Sequence, residues 1–138
     1  MPQNGIYKDG AQALASAFAY NPNLKVINLN DNTLVGEGIK KLSESVGKLH
    51  QLKELNLGDC LLKGKGSLGL ANALRNHQQL QKINLESNEI DKISAEKLAE
   101  MLRTIPSLQE INLSCNYIGE TMLERIANLL PAARVVRE

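Results

Sequence analysis

The stretch LKGKGS, Leu62 to Ser67, is the nearest approach in this sequence to a phosphate-binding loop, because it crowds two lysines and two glycines together. The loop pattern G-x-x-x-x-G-K-[ST] would need Gly at 59 and Ser or Thr at 66, where Asp59 and Gly66 stand. The stretch therefore reads as a turn leading from a strand into a helix. Neither G-x-S-x-G nor H-E-x-x-H occurs, and Glu120 and Glu124 are surface carboxylates one helical turn apart rather than an acid-base pair. Cys60 and Cys115 form no C-x-x-C, and His50 and His77 fall outside any ligand spacing, so neither a metal nor another cofactor is expected. The polar residue that does recur at a fixed interval is asparagine, in the series Asn28, Asn56, Asn84, Asn112 and again in Asn4, Asn32, Asn88, Asn116, with Cys60 filling the gap. A carboxamide donates and accepts at one place, so the chemistry on offer is hydrogen bonding, and the expected activity is binding rather than catalysis.

Those asparagines belong to four near-copies of one stretch: LKVINLNDNTL from Leu24, LKELNLGDCLL from Leu52, LQKINLESNEI from Leu80 and LQEINLSCNYI from Leu108. The starts are 28 residues apart throughout, and each copy fits the leucine-rich-repeat pattern L-x-x-L-x-L-x-x-N/C-x-L. Between copies, apolar and small residues recur at i, i+3, i+4 and i+7: Ala11, Leu14, Ala15, Phe18, and at their later equivalents Ile39, Leu42, Ser43, Val46. The same stripe returns as Ser67, Leu70, Ala71, Leu74, then Ala95, Leu98, Ala99, Leu102, and last Leu123, Ile126, Ala127, Leu130. The expected fold is an α/β leucine-rich-repeat solenoid of the ribonuclease-inhibitor kind, a single domain over 1–138, with the parallel sheet on the concave face and helices outside. Gly10, Gly38 and Gly66 are expected just before the first three helices, Ser94 to cap the fourth, and Pro22 and Pro106 to end theirs.

Alternation in the strands sends Leu24, Ile27 and Leu29 and their equivalents to the core, and puts the Asn28 series outward on the concave face. Those outward amides are expected to stack and hydrogen-bond to one another, the alternative being a stripe that contacts a partner. The Asn4 series is expected to turn inward and satisfy backbone groups where each strand ends. Cys60 and Cys115, two repeats apart, are expected to be free thiols, since neighbouring strands about 4.7–4.9 Å apart put these positions beyond disulfide reach.

Carrying the register backwards matches Met1, Asn4 and Ile6 to Leu29, Asn32 and Leu34, so 1–23 is expected to be a partial repeat that begins after its own strand. Carrying it forwards matches Val136 to Leu108, the first step of a strand that stops. An uncapped first repeat would expose Leu24, Ile27 and Leu29 at a sheet edge and drive self-association. The sequence of 138 residues is 43% hydrophobic, 22% charged and formally +1, ordinary globular material. Three Tyr and one Phe give no stacking row for nucleic acid, and no apolar run is long enough for a membrane span or signal peptide. A cytosolic protein is expected.

Beyond the general repeat pattern, QNGI at Gln3–Ile6, NLNDNT at Asn28–Thr33 and GDCLL at Gly58–Leu62 resemble the later repeats of Ran GTPase-activating proteins. Ribonuclease inhibitor, tropomodulin and innate-immune receptors share the period without these stretches. The resemblance implies a cytoplasmic regulator of the GTPase Ran, acting at or near the nuclear envelope in nuclear transport. It also implies further repeats ahead of QNGI, carrying an assisting asparagine with no counterpart here, and an acidic tail afterwards. A Ran-contacting rim is expected at Gln3, Asn30, Asp31, Asp59, Lys63 and Glu86, spaced by about one repeat, with binding but no acceleration of GTP hydrolysis. Without that resemblance, the residues leave a protein-binding module of the tropomodulin or ribonuclease-inhibitor kind.

Overall fold

Period-two alternation makes a strand of each short triplet with Ile, Leu or Val at its centre, because the central side chain can then be buried while both neighbours reach solvent. The computed structural model describes residues 1–138 and contains β1 (Val26–Asn28), β2 (Glu54–Asn56), β3 (Lys82–Asn84), β4 (Glu110–Asn112) and β5 (Arg134–Val136). They pair in parallel and in chain order. From β1 to β4 each residue faces its equivalent one repeat away: Ile27, Leu55, Ile83 and Ile111 in the core row, and the four asparagines beside them. Pairing continues beyond the strand ends, with the Leu29 amide donating to Asn56 O at 2.9 Å and the Asp31 amide to Gly58 O at 2.9 Å.

The last step departs from the expected register. Val136 lies opposite Asn112, not where a repeat of 28 would put it, and Arg134 opposite Glu110. The connection is four residues shorter because α5 (Glu120–Leu129) gives way before Pro131, which cannot continue a helix and returns the chain directly to the sheet.

Each of β1 to β4 is followed by a helix on the far side: α2 (Glu37–Gly47), α3 (Lys63–Leu74), α4 (Lys92–Leu102) and α5, with α1 (Lys8–Phe18) ahead of β1. The apolar stripes face the sheet and are buried, except that Leu14 and Ala127 are only half covered. Gly10, Gly38 and Gly66 lie inside the first helical turns rather than before them. Their smallness serves packing: a Cβ on Gly38 would stand 3.1 Å from the Lys8 Cα and 3.2 Å from the Ala11 Cβ. Ser94 is likewise inside α4, and the cap is Asp91, whose carboxylate accepts the amides of Ile93 at 3.0 Å and Ser94 at 2.9 Å. The Ser94 amide and hydroxyl hold that carboxyl below its ordinary range. LKGKGS is not a turn, since Lys63 to Ser67 form the first residues of α3.

The inward asparagines tie repeat to repeat. Asn88 Oδ1 accepts the amides of Cys60 (3.2 Å) and Leu62 (3.0 Å) while its Nδ2 donates to Leu57 O at 2.8 Å. Asn116 does the same for Asn88 and Ile90, and Asn32 for Asn4 and Ile6. Cys60 has no carboxamide to offer, so the Leu34 amide turns to the Cys60 carbonyl at 3.1 Å, and the thiol donates to Leu29 O at 3.1 Å. Both cysteines are free, Cys60 buried and Cys115 exposed.

The N-terminal end is not an open apolar edge. Ile27 is 5% and Leu29 2% exposed, because Met1 to Ile6 lies against β1 and its turn. The terminal ammonium donates to Asn28 O at 2.7 Å and the Gln3 amide to Asn30 O at 3.0 Å. Leu24 is only half-buried, and the exposed apolar residue at this edge is Val26, which points away from the core. Of the three residues expected to form an apolar edge, Ile27 and Leu29 are therefore covered by the chain's own first residues.

Candidate protein-binding face

Short strands leave two outward residues per repeat, and these build the concave surface row by row. The first row is Val26, Glu54, Lys82, Glu110 and Arg134, brought side by side by the strand register. Its charges alternate, with Lys82 Nζ 3.8 Å from Glu54 and Arg134 3.8 Å from Glu110. Exposed pairs at such distances contribute little stability, at most about 1 kcal/mol. They leave both signs of charge presented to a partner.

The second row is the asparagine series, and its amides do not stack through mutual hydrogen bonds. Each Oδ1 instead accepts the backbone amide two residues on, in an Asx turn: Asn28 from Asn30 (3.1 Å), Asn56 from Gly58 (3.0 Å), Asn84 from Glu86 (2.9 Å) and Asn112 from Ser114 (3.0 Å). The chain leaves the strand at this point, so the local backbone donor outcompetes a neighbour's amide. Asn112 Nδ2 donates to Glu86 Oε2 at 3.3 Å. The Nδ2 groups of Asn28, Asn56 and Asn84 make no hydrogen bond within the chain, and that of Asn84 lies beside Gly58 of the preceding repeat. With the first row they border a shallow groove of about 210 Å³.

The six residues expected at a rim do not form one line. Gln3, Asp31 and Asp59 share a row with Ser87 and Cys115, and all five have left-handed backbones, with φ of 55°, 57°, 50°, 53° and 56°. Aspartate tolerates that conformation better than most residues, so Asp31 and Asp59 have a structural reason to be there. Asn30 and Glu86 belong to the neighbouring row with Gly58 and Ser114, nearer the groove. Lys63 begins α3 and lies 3.7 Å from Glu89, away from both rows. The alternating row from Val26 to Arg134 was not picked out from sequence, although Glu54, Lys82 and Glu110 stand at repeat spacing; Arg134 joins them only through the shortened last repeat.

Comparison with known proteins follows the same architecture. One family model described as Leucine Rich repeat matches residues 20–43, and a second matches residues 107–129. The chain is a leucine-rich-repeat solenoid. No curated protein sequence matches it. Among solved structures, this solenoid is similar to the actin-binding site 2 of leiomodin-1, with a TM-score of 0.73 and 16% identity over 94% of this chain and 78% of that one. It is also similar to the tropomodulin C-terminal domain of Caenorhabditis elegans, with a TM-score of 0.76 and 16% identity over 93% of this chain and 82% of that one. At that identity the likeness is one of fold.

Proposed function

We propose that this leucine-rich-repeat solenoid is a non-catalytic protein-binding module that grips a partner on its concave sheet face. The observation that carries this is the row of uncommitted Nδ2 donors on Asn28, Asn56 and Asn84, fixed in direction by their own Asx turns and bordered by alternating charge. Donors held rigidly lose little freedom on binding, so such a surface suits a partner presenting backbone carbonyls or carboxylates in register. Actin is the first partner to test, because a solved structure of the same fold is an actin-binding site. Asn56→Asp keeps the acceptor that closes the Asx turn and removes the uncommitted donor. Co-sedimentation with actin filaments and a titration of monomeric actin, each run with wild type and Asn56→Asp, test the reading; wild-type binding weakened by that change supports it.

A second reading is a regulator of Ran, favoured by the QNGI, NLNDNT and GDCLL stretches. Much of that resemblance falls on residues with scaffold work, namely Asn32 and Cys60 in the interior and Asp31 and Asp59 in left-handed turns. That lowers its weight against the first reading. A pull-down on Ran loaded with a non-hydrolysable GTP analogue separates the two, and a single-turnover assay is expected to show no acceleration of GTP hydrolysis.

A further inference from the structure

A second concavity lies on the opposite side, among the helices. It is an open groove of about 960 Å³ between α2 and α3. Gly47, Gly66 and Gly69 line it and leave it without side chains. Packing explains the first, since a Cβ there would come within 2.8 Å of Ala73 O. Packing does not explain Gly69, whose added Cβ would meet nothing within 4 Å. The equivalent places in the other repeats hold Ala13, Lys41, Lys97 and Arg125, and a mid-helix glycine weakens a helix relative to any of them.

Ser43 lines the same groove. It is 3% exposed, its hydroxyl has no hydrogen-bond partner, and the equivalent residues Ala15, Ala71, Ala99 and Ala127 have no hydroxyl at all. That hydroxyl is covered by the chain itself, so the residue shapes the groove wall without offering a donor to it. At one end of the groove Val35 and Leu61 are 37% and 38% exposed, and Leu61 is held outward by a left-handed backbone with φ of 56°. Four lysines and two glutamates border the rest. Lys40 is paired with Glu37, and Lys63 with Glu89, while Lys48, Lys65 and Glu44 make no ion pair, so the groove as a whole carries an excess of two positive charges.

We propose that this groove is a second binding site, for an acidic peptide segment that seats an apolar side chain over Gly69 beside Val35 and Leu61. The peptide's carboxylates meet Lys48 and Lys65. Charge complementarity selects this occupant over a basic helix, and a concave groove between two helices favours a peptide over a flat membrane surface.

The probe is a fluorescein-labelled peptide alternating leucine with glutamate, with a leucine-lysine peptide and phosphatidylserine vesicles as comparators. Anisotropy is expected to rise with the acidic peptide alone, and the amide resonances of Gly47, Gly66 and Gly69 to shift on its addition. Gly69→Phe places a ring in the groove from a position whose Cβ is free of contacts, and is expected to weaken binding by about tenfold or more while circular dichroism shows the fold intact. Lys48→Glu with Lys65→Glu is expected to do the same, and Lys97→Glu on α4 to leave binding unchanged. Absence of acidic-peptide binding, binding indifferent to Gly69→Phe and to the lysine reversals, or preference for the basic peptide or the vesicles would overturn the proposal. These variants leave the concave face untouched, so failure here is separable from failure of actin or Ran binding.

Discussion

The side-chain oxygen of Asn116 accepts the backbone amide of Asn88 at 3.0 Å, and Asn88 in turn accepts that of Cys60 at 3.2 Å, so one inward residue per repeat carries the turn of the repeat before it. Removing one such amide strands several buried backbone groups at once. Asn88→Ala is expected to cost about 1–3 kcal/mol. Leu85→Ala, at a core position 1% exposed, is expected to cost about 2–5 kcal/mol through transfer and cavity terms. Exposed Lys97→Ala should stay within about 0.5 kcal/mol of wild type. Urea melts check all three, and an Asn88→Ala midpoint equal to wild type would refute the tie.

Cys60 is where this series is weakest, because a thiol cannot do what a carboxamide does. Cys60→Asn is expected to stabilise the chain by about 0.5–1.5 kcal/mol, by giving the Asn32 and Leu34 amides the acceptor their equivalents have. Urea melts of the single variant measure this. In wild type, burial pushes the Cys60 thiol up to about 11. A thiol reagent near neutral pH should therefore modify Cys115 quickly and Cys60 only after unfolding.

His77 stands where neighbouring repeats have Leu49 and Ile105, and it is 1% exposed. Its Nε2 lies 3.1 Å from Val46 O, which makes the neutral ring with Nε2–H the form that fits. Burial lowers its affinity for a proton below the ordinary value of 6.5, and His50, 6.3 Å away between ring centres, adds to this. The unfolded chain then binds the proton more readily than the folded one, so stability should fall as pH drops below about 6.5. His77→Leu should flatten that slope; melts at a series of pH values between neutral and mildly acidic read it, and an unchanged slope would assign the acid sensitivity elsewhere.

What the sequence made legible was whatever repeats: the strand positions, the core leucines, the helix stripes and the inward asparagines all follow from spacing. What it concealed were choices between partners of the same chemistry. Nothing in an asparagine's identity says whether Asn56 bonds to Asn84 or to the Gly58 amide, nor whether Ser94 or Asp91 caps α4. Departures from the period were hidden for a different reason. The shortened last repeat depends on Pro131 ending α5, and the groove between α2 and α3 depends on side chains missing at Gly47 and Gly69 rather than on any residue present.

Concave-face binding is tested most directly by titrating fluorescently labelled chain with monomeric actin, and separately with GTP-analogue-loaded Ran, for wild type, Asn56→Asp, Lys82→Glu and Lys97→Glu. The expected result is binding to actin that Asn56→Asp and Lys82→Glu each weaken by about tenfold and that Lys97→Glu, on the helical side, leaves unchanged. Binding to neither partner, or binding that both concave variants retain in full, would contradict it.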